Sequence, residues 1–572
     1  MEGHRRPRPD PGVTVTEIEL KLLVAPEHLT RLRRHPLLRA AQGKKALSRR
    51  FIAEYYDTAK FDLRRAGVGL RLRREGRRIV QTVKREGRVD GGLHQRPEWE
   101  TETRDGKLDF AALAETGWCK HFDDPDLRNR LQPIFTTEYR RTTRIIEPGP
   151  GCVIEFCLDQ GEIRAQGRAH PICEVELELR SGEPSALYDL ALALDQTIPL
   201  KIGRHSKPER GYLLLTEPAA QPVKAAPIEL FADMNVAAAF SHIAFDGIAH
   251  LEENEAGTLV HADPEYLHQM RVAVRRLRSA FSMFRAALSG PEFERYAEEL
   301  RWLGQALGPA RDWDVFTIET LPQIAAQFAS LPGIDWLGKE AVRARAEANE
   351  VAAQAIESRR YQRLLLHLSA WLTTLQAPQQ APMNADAAPT ESAAGNRATG
   401  QAAAAAAAPS TLSESAVVEP PVVAEPPAIE GPAAADRIAL TGIREYADSI
   451  LSKRRKRVKK CGRDLAQRSA AERHQLRIAV KKLRYAIEFF SALYARKKVK
   501  EFTAALTALQ EVLGALNDAA VTQTLLSRLP ASAAIEHEAV GIVAGYSAAL
   551  AQARQVSLDQ RWNALRRHKA FW

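Results

Sequence analysis

The sequence has no CxxC pair, no run of roughly 18 or more strongly apolar residues, no P-loop, and no evident serine or cysteine nucleophile. Each absence closes off a class of protein. Five scattered cysteines (Cys119, Cys152, Cys157, Cys173, Cys461) argue against both a disulfide framework and a thiolate zinc site. Without a long apolar run no membrane span is expected. The basic N-terminus MEGHRRPRPDPG lacks the apolar stretch of a signal peptide, so a cytoplasmic protein is expected. Acidic residues are also in deficit: the formal net charge is +10, which favours polyanionic partners without choosing among nucleic acid, anionic membrane and phosphate chains.

At 572 residues the chain is too long for one core. Residues 13–215 carry strand-like alternation punctuated by Gly and Pro, as in TEIELKLLV, VGLRLRR, RPEWETET, GCVIEFCLD and ICEVELELR. A short linker, EPAAQPVKAAP, leads into helical sequence over 228–376 and again over 436–572. Between them, 377–435 is dominated by Ala and Pro with almost no aromatics. It cannot bury enough apolar surface to offset the entropy of ordering, and reads as a disordered insertion. The helical parts are copies of one another. YLHQMRVAVRRLRSAFSMF aligns with ERHQLRIAVKKLRYAIEFF and LGQALGPARDWDV with LQEVLGALNDAAV, so that His268 matches His474 and Gly308 matches Gly514 at the same offset of 206 residues.

In the first strand Glu17, Glu19 and Lys21 alternate with Ile18, Leu20 and Leu22, so the charges share one face. The pattern recurs at Arg71 and Arg73, at Glu98 and Glu100, and at Glu174, Glu176 and Glu178. An antiparallel sheet with one solvated face gives such alternation routinely. Here, however, the charges are sorted by strand, acidic in some and basic in others. An interior lined in this way suits metal-bound phosphate, because hard carboxylates hold Mg²⁺ or Mn²⁺ while Arg and Lys neutralise phosphate oxygens.

The Glu17-x-Glu19-x-Lys21 signature, followed in order by YYDT (Tyr55–Thr58), GLRLR (Gly69–Arg73), TVK ending at Lys84, EVELEL and SKPERGY (Ser206–Tyr212), resembles the CYTH family of triphosphate tunnel metalloenzymes. The resemblance covers nearly all of the first 215 residues. It implies an eight-stranded antiparallel tunnel barrel whose polar bore holds a triphosphate and one or two divalent metals, and an inorganic triphosphatase activity. By position it gives Glu17, Glu19, Glu174 and Glu176 as metal ligands, with Asp159 of LDQG as a further one. It gives Lys21, Arg71, Arg73, Lys84, Arg141 and Lys207 as the phosphate-contacting lining, and Glu98 and Glu100 as the middle acidic strand of the catalytic set. Register decides whether Arg141 or a neighbour, Arg140 or Arg144, faces inward.

In the helical copies His268, Arg271, Arg275 and Arg278 fall on one helical face, as do His474, Arg477, Lys481 and Arg484; Arg276 and Lys482 widen the stripe. Met270, Val274, Leu277 and Phe281 form the adjoining apolar seam, matched by Leu476, Val480, Leu483 and Ile487. A basic helix face is usually only solvated, but like charges stacked without acids repel, and the pattern occurs twice. The HxxRxxxRRxR motif with its LGxxRD partner (Leu307–Asp312, and Leu513–Asp518 with Asn517 in place of Arg311) resembles the CHAD domain, an all-α helical bundle with an internal two-fold repeat. That resemblance implies inorganic polyphosphate as the partner, with association with polyphosphate granules as its cellular consequence. The run KRRKRVKK (Lys453–Lys460) has no interleaved aromatics for base stacking, so it is read as extending the same field rather than as a nucleic-acid signal. Two alternatives stay open: hydrolysis of an organic triphosphate such as thiamine or nucleoside triphosphate, and a non-catalytic polyphosphate scaffold.

Overall fold

The computed structural model describes residues 15–39, 46–85, 87–103, 105–114, 122–216, 221–376 and 441–572. The Ala/Pro-rich insertion 377–435, the N-terminal dodecamer and Cys119 lie outside the described residues.

The described residues include ten strands: β1 (Val15–Val24), β2 (Leu47–Asp57), β3 (Val68–Glu75), β4 (Arg78–Arg85), β5 (Arg88–Asp90), β6 (Leu93–Thr103), β7 (Gln132–Gly149), β8 (Cys152–Ala165), β9 (Arg168–Ser181) and β10 (Leu200–Ile202). They run in the order β10-β1-β9-β8-β7-β2-β3-β4-β6-β5, and β1 also pairs with β6. That last pairing closes β1, β9, β8, β7, β2, β3, β4 and β6 into an antiparallel eight-stranded barrel, as expected, and leaves β5 and β10 as short additions. Strand alternation in a closed barrel sends every second side chain into the bore. The usual polarity is reversed here: charged residues point in, while Leu20, Leu22, Phe156, Leu158, Val175 and Leu177 are buried on the outer wall.

The outer wall is covered by helix Ser185–Asp195 and then by the helical region. Leu20, Leu22, Val175 and Leu177 of the barrel belong to the same apolar cluster as Leu187 and Leu194 of that helix, Phe240 and Ile248 of helix Val236–Leu259, and Leu365 and Leu368 of helix Arg359–Thr374. The hairpin joining β5 to β6 is wedged into this junction. Gly91 there has φ +54°, and a Cβ on it would lie 2.2 Å from Ser369 Oγ, so neither the backbone angle nor the space admits a side chain. Tyr188 Oη donates to the carbonyls of Asp90 and Gly91, both at 3.1 Å. The described part of the linker is docked as well: Val223 N donates to Asn254 Oδ1 at 3.0 Å and its carbonyl accepts from Asn254 Nδ2 at 2.9 Å.

The helical region repeats as its sequence does. Helix Pro264–Leu288, capped by Asp263, corresponds to Ala470–Phe490, capped by a Ser469–Glu472 box. The copies then diverge for a local reason. The first continues as two helices, Pro291–Ala306 and Gly308–Val315, whereas the second runs unbroken over Arg496–Leu526. Pro309 in the first copy stands where the second has Ala515, and a proline inside a helix removes a donor and clashes with the preceding turn. The copies meet through Phe284, whose ring centroid lies 5.2 Å from that of Tyr446 and 6.1 Å from that of Phe490. No helix among the described residues is long and apolar enough to cross a membrane.

Candidate active site in the barrel and a basic groove in the helices

The bore of the barrel is lined by ions, and its register determines which ones meet. β1 sets Lys21 opposite Glu176 of β9, β8 sets Asp159 opposite Glu174, and β7 sets Arg141 opposite Asp159. One group of contacts follows. Lys21 Nζ lies 2.5 Å from Glu176 and 2.8 Å from Glu19. Arg141 grips Asp159 with two hydrogen bonds, of 2.7 and 2.6 Å, and also bonds Glu176. Arg141 is therefore the inward residue of its neighbourhood, and Arg140 is exposed. Asp159, Glu174 and Glu176 are all buried and bring one carboxylate oxygen each within 4.8 Å of the others. Three convergent hard carboxylates suit an oxygen-preferring divalent cation. Lys207 stands among them, its Nζ 2.6 Å from Asp159, 2.9 Å from Glu176 and in contact with Glu174. The set thus already accepts a cationic centre.

Across the bore lies a second group. Lys84 Nζ is 2.6 Å from Glu17 and 3.1 Å from Glu98. Arg73 bonds Glu100 at 3.1 Å and pairs with Glu75 at 2.9 Å, and Arg71 sits 3.6 Å from Glu98 and 3.8 Å from Glu100. Thr82 Oγ1 donates to Glu100 at 3.1 Å. The buried Nε atoms of Arg71 and Arg73 have no hydrogen-bond partner among the described residues. A guanidinium with an unused buried donor is unsatisfied, and an oxyanion in the bore would meet that need.

Titration follows from these pairings. Burial opposes the charge of Lys207, but the carboxylates of Asp159, Glu174 and Glu176 raise its pKa well above the ordinary lysine value. Burial likewise opposes ionisation of Glu176, and Lys207, Lys21 and Arg141 together hold it well below the carboxylate range. Burial would push the Tyr55 hydroxyl up, yet Arg71, 3.3 Å away, brings it down overall. The wholly buried His94 is driven down to about 3, first by burial and then by Lys21 and Arg96, so its ring is neutral.

In the helical region the two stripes converge. Burial first, then Arg477 and Arg275, bring Lys481 down to about 8, with Asp518 opposing only in part; Arg275 comes from the first copy and Lys481 from the second. His268 is lowered by burial and then by Arg311, with Arg275 and Arg271 adding to it against Glu265. Arg271 donates to the Leu307 carbonyl at 3.0 Å and lies 3.7 Å from Asp312. Arg311 is drawn partly aside to Glu319 at 3.2 Å. The buried Nε atoms of Arg275, Arg477 and Arg484 find no hydrogen-bond partner among the described residues. The result is a groove of mutually repelling cations.

A CYTH domain model matches residues 16–212, and a CHAD domain model matches residues 242–527, half of the chain. The chain belongs to the CHAD family, with a CYTH domain in front. An inorganic triphosphatase of Haemophilus influenzae is 32% identical over 204 residues, which is 36% of this chain and 56% of that protein, so the match spans little more than half the length of the relative. Among solved structures, the CHAD domain of the plant Ricinus communis aligns at 30% identity over 61% of this chain and 98% of its own, with a TM-score of 0.46. PptA from Streptomyces chartreusis aligns at 15% identity over 58% of this chain and 100% of its own, with a TM-score of 0.37.

Within the CYTH barrel, three of the five expected metal ligands form the triad, while Glu17 and Glu19 sit on β1, paired with Lys84 and Lys21. Within the CHAD helices, Arg276 departs from the expected basic stripe. It is 2% exposed and paired with Asp246 at 3.1 Å and Glu488 at 2.9 Å, because one residue past Arg275 the helix has turned about 100° toward the core. Lys482 and His474 are exposed on the second helix. Asn517 replaces the basic contact of its counterpart with an acceptor, taking a hydrogen bond from Arg477 at 2.8 Å. Sequence reasoning passed over Arg210, which bonds Glu174 in the bore. The available signal was its i+3 spacing from Lys207 on helix Lys207–Leu215.

Proposed function

We propose that the CYTH barrel hydrolyses inorganic triphosphate with Mg²⁺ or Mn²⁺ and that the CHAD groove holds inorganic polyphosphate. The observation that carries the reading is the buried Asp159–Glu174–Glu176 triad facing, across one bore, arginines with unused donors. The relative named an inorganic triphosphatase supports it. Asp159, Glu174 and Glu176, with Glu17 and Glu19 on the adjoining strand, would hold the metal, which when bound supplies Lewis-acid charge neutralisation at phosphate oxygens. Arg71, Arg73, Lys84, Arg141, Lys21 and Lys207 grip the phosphates and spread the charge that develops on the transferred group. Water attacks the terminal phosphorus, the bridging P–O bond breaks, and orthophosphate and diphosphate leave. Glu98 and Glu100 lie on the same bore and receive the proton that the attacking water loses. No covalent nucleophile is required.

In the CHAD groove, His268, Arg271, Arg275, Arg278 and Arg311 with His474, Arg477, Lys481, Lys482 and Arg484 take the phosphate chain; Arg276 serves the core. The test is phosphate release from tripolyphosphate with Mg²⁺ or Mn²⁺, compared with ATP and thiamine triphosphate. Metal-dependent release from tripolyphosphate, abolished by Glu17→Ala/Glu19→Ala, is expected. Preference for either organic substrate overturns the inorganic reading, and no turnover with polyphosphate binding intact makes the protein a scaffold.

A further inference from the structure

Strand β10 and the start of helix Lys207–Leu215 form one strap, residues 200–210, whose two ends serve different domains. Its inner end carries Lys207 and Arg210, bonded to the acidic triad. Its outer end is gripped by the CHAD helices. Arg204 Nη2 donates to Glu253 at 2.5 Å, and Arg204 Nη1 lies 3.7 Å from Glu252. Lys201 pairs with Glu255, whose carboxylate also accepts from Tyr361 Oη at 3.3 Å. At the start of the strap, Leu200 N donates to Asp195 Oδ1 at 3.2 Å, and the other oxygen of that carboxylate accepts from Arg363 Nε at 2.8 Å.

The middle of the strap leaves little freedom. Gly203 N donates to the Lys21 carbonyl at 2.8 Å, and its own carbonyl is 3.3 Å from His94 Nε2. A Cβ on Gly203 would stand 3.2 Å from Lys21 Cβ, so the two backbones are in near contact. Only His205 and Ser206 separate Arg204 from Lys207. Ser206 caps the helix in a reciprocal box with Glu209, which sets the direction of the first turn and hence of the Lys207 side chain. The Arg204 pairs at the outer end are partly shielded, with Arg204 22% exposed, Glu252 10% and Glu253 30%, while Lys201 is more open at 44%. Water competes weakly for such pairs, so they resist fraying better than surface ones.

We propose that Arg204 is a positioning residue for the barrel site: anchored on Glu253 of the CHAD domain, with Glu252 beside it, it sets the placement of Lys207 and Arg210 against the acidic triad. The CHAD domain thereby completes the CYTH site from outside the barrel. The kinetic consequence rests on the triphosphatase reading; the mechanical one does not.

The experiment uses the full chain and reads both. In Arg204→Ala, exchange of the Glu209 and Arg210 amides, which bond to Ser206, is expected to rise about tenfold while β8 and β9 keep their protection. The KM for tripolyphosphate should rise about fivefold with kcat per folded molecule nearly constant, because a misplaced lysine weakens phosphate contact before it affects chemistry. Arg204→Lys should recover most of both. If Arg204→Ala does not fold, Glu253→Gln loosens the same anchor from the CHAD side and should shift exchange in the same direction. Unchanged exchange at Glu209 and Arg210 overturns the proposal, and so does a fall in kcat at constant KM. Exchange is read without substrate, so a wild type that leaves tripolyphosphate intact removes the activity reading and still decides the strap.

Discussion

Replacing Lys207 with methionine removes a buried ammonium from the middle of three carboxylates while keeping most of the side-chain volume. Lys207 is 5% exposed and contacts Asp159, Glu174 and Glu176 at once, so its loss leaves carboxylates in the bore that only Arg141, Lys21 and Arg210 continue to offset. Removing one partner of a buried ionic cluster costs about 3–5 kcal/mol, because the other charge stays desolvated. On a domain of this size each kcal/mol moves the melting temperature by about 2–4 °C, so calorimetry on the full chain should show Lys207→Met melting about 6–20 °C below wild type. The same oxygens are those a divalent cation would take. Mn²⁺ at about a hundred times its Kd contributes about 2.7 kcal/mol, and should restore half or more of the loss in the variant. Wild type should gain less, since there the ion must displace the ammonium. A variant that melts with wild type, or gains no more from Mn²⁺ than wild type does, would refute the view that lysine and metal share one site.

Other perturbations test separate parts of the molecule. Burial, with Glu255 adding to it and Arg204 and Lys201 opposing, raises Glu252 from 4.5 to about 7, so its protonated form stabilises the fold at low pH and that stability is lost as pH climbs from about 4.5 to 7. The loss amounts to about 3 kcal/mol, and Glu252→Gln should flatten it in denaturant titrations at a series of pH values. In the CHAD groove, Lys481 titrates near 8 in the free protein, facing Arg275, Arg477, Arg484 and Asp518. Bound phosphate would hold it protonated, so affinity for long-chain polyphosphate should fall about tenfold from pH 7 to 9 at constant salt, and Lys481→Arg should abolish that fall. Arg276→Ala, which removes a buried partner from Asp246 and leaves Glu488 with Arg484, should cost about 1–3 kcal/mol of stability in chemical denaturation.

Much of the barrel was legible because strand alternation is local: Glu17, Glu19 and Lys21 could share a face only if that segment were a strand, and closure then turned the face inward. The choice of Arg141 over Arg140 was not local, since it depends on β7 pairing with β8 so that Arg141 meets Asp159. The basic stripes were legible from helical spacing, but Arg276 was misread because adjacency in sequence counted for more than the rotation between neighbouring residues. Its partners come from two other helices that no short window contains. Asp159, Glu174 and Glu176 all follow from the family resemblance, but that they converge depends on strand register, which sets Asp159 opposite Glu174, rather than on a motif. Nothing in the strand or helix periodicity marked Arg204 as an interdomain anchor, since its acidic partners lie beyond the linker.

The apolar cluster shared by barrel and helices bears on how this chain can be dissected. Cutting between the two domains would strip helix Arg359–Thr374 from β10 and from helix Ser185–Asp195, baring a wall of aliphatic side chains that water now never meets. A barrel expressed alone would be a sticky particle prone to self-association. Measurements on it would report a damaged fragment, and the two domains are better compared with point variants in the intact polypeptide.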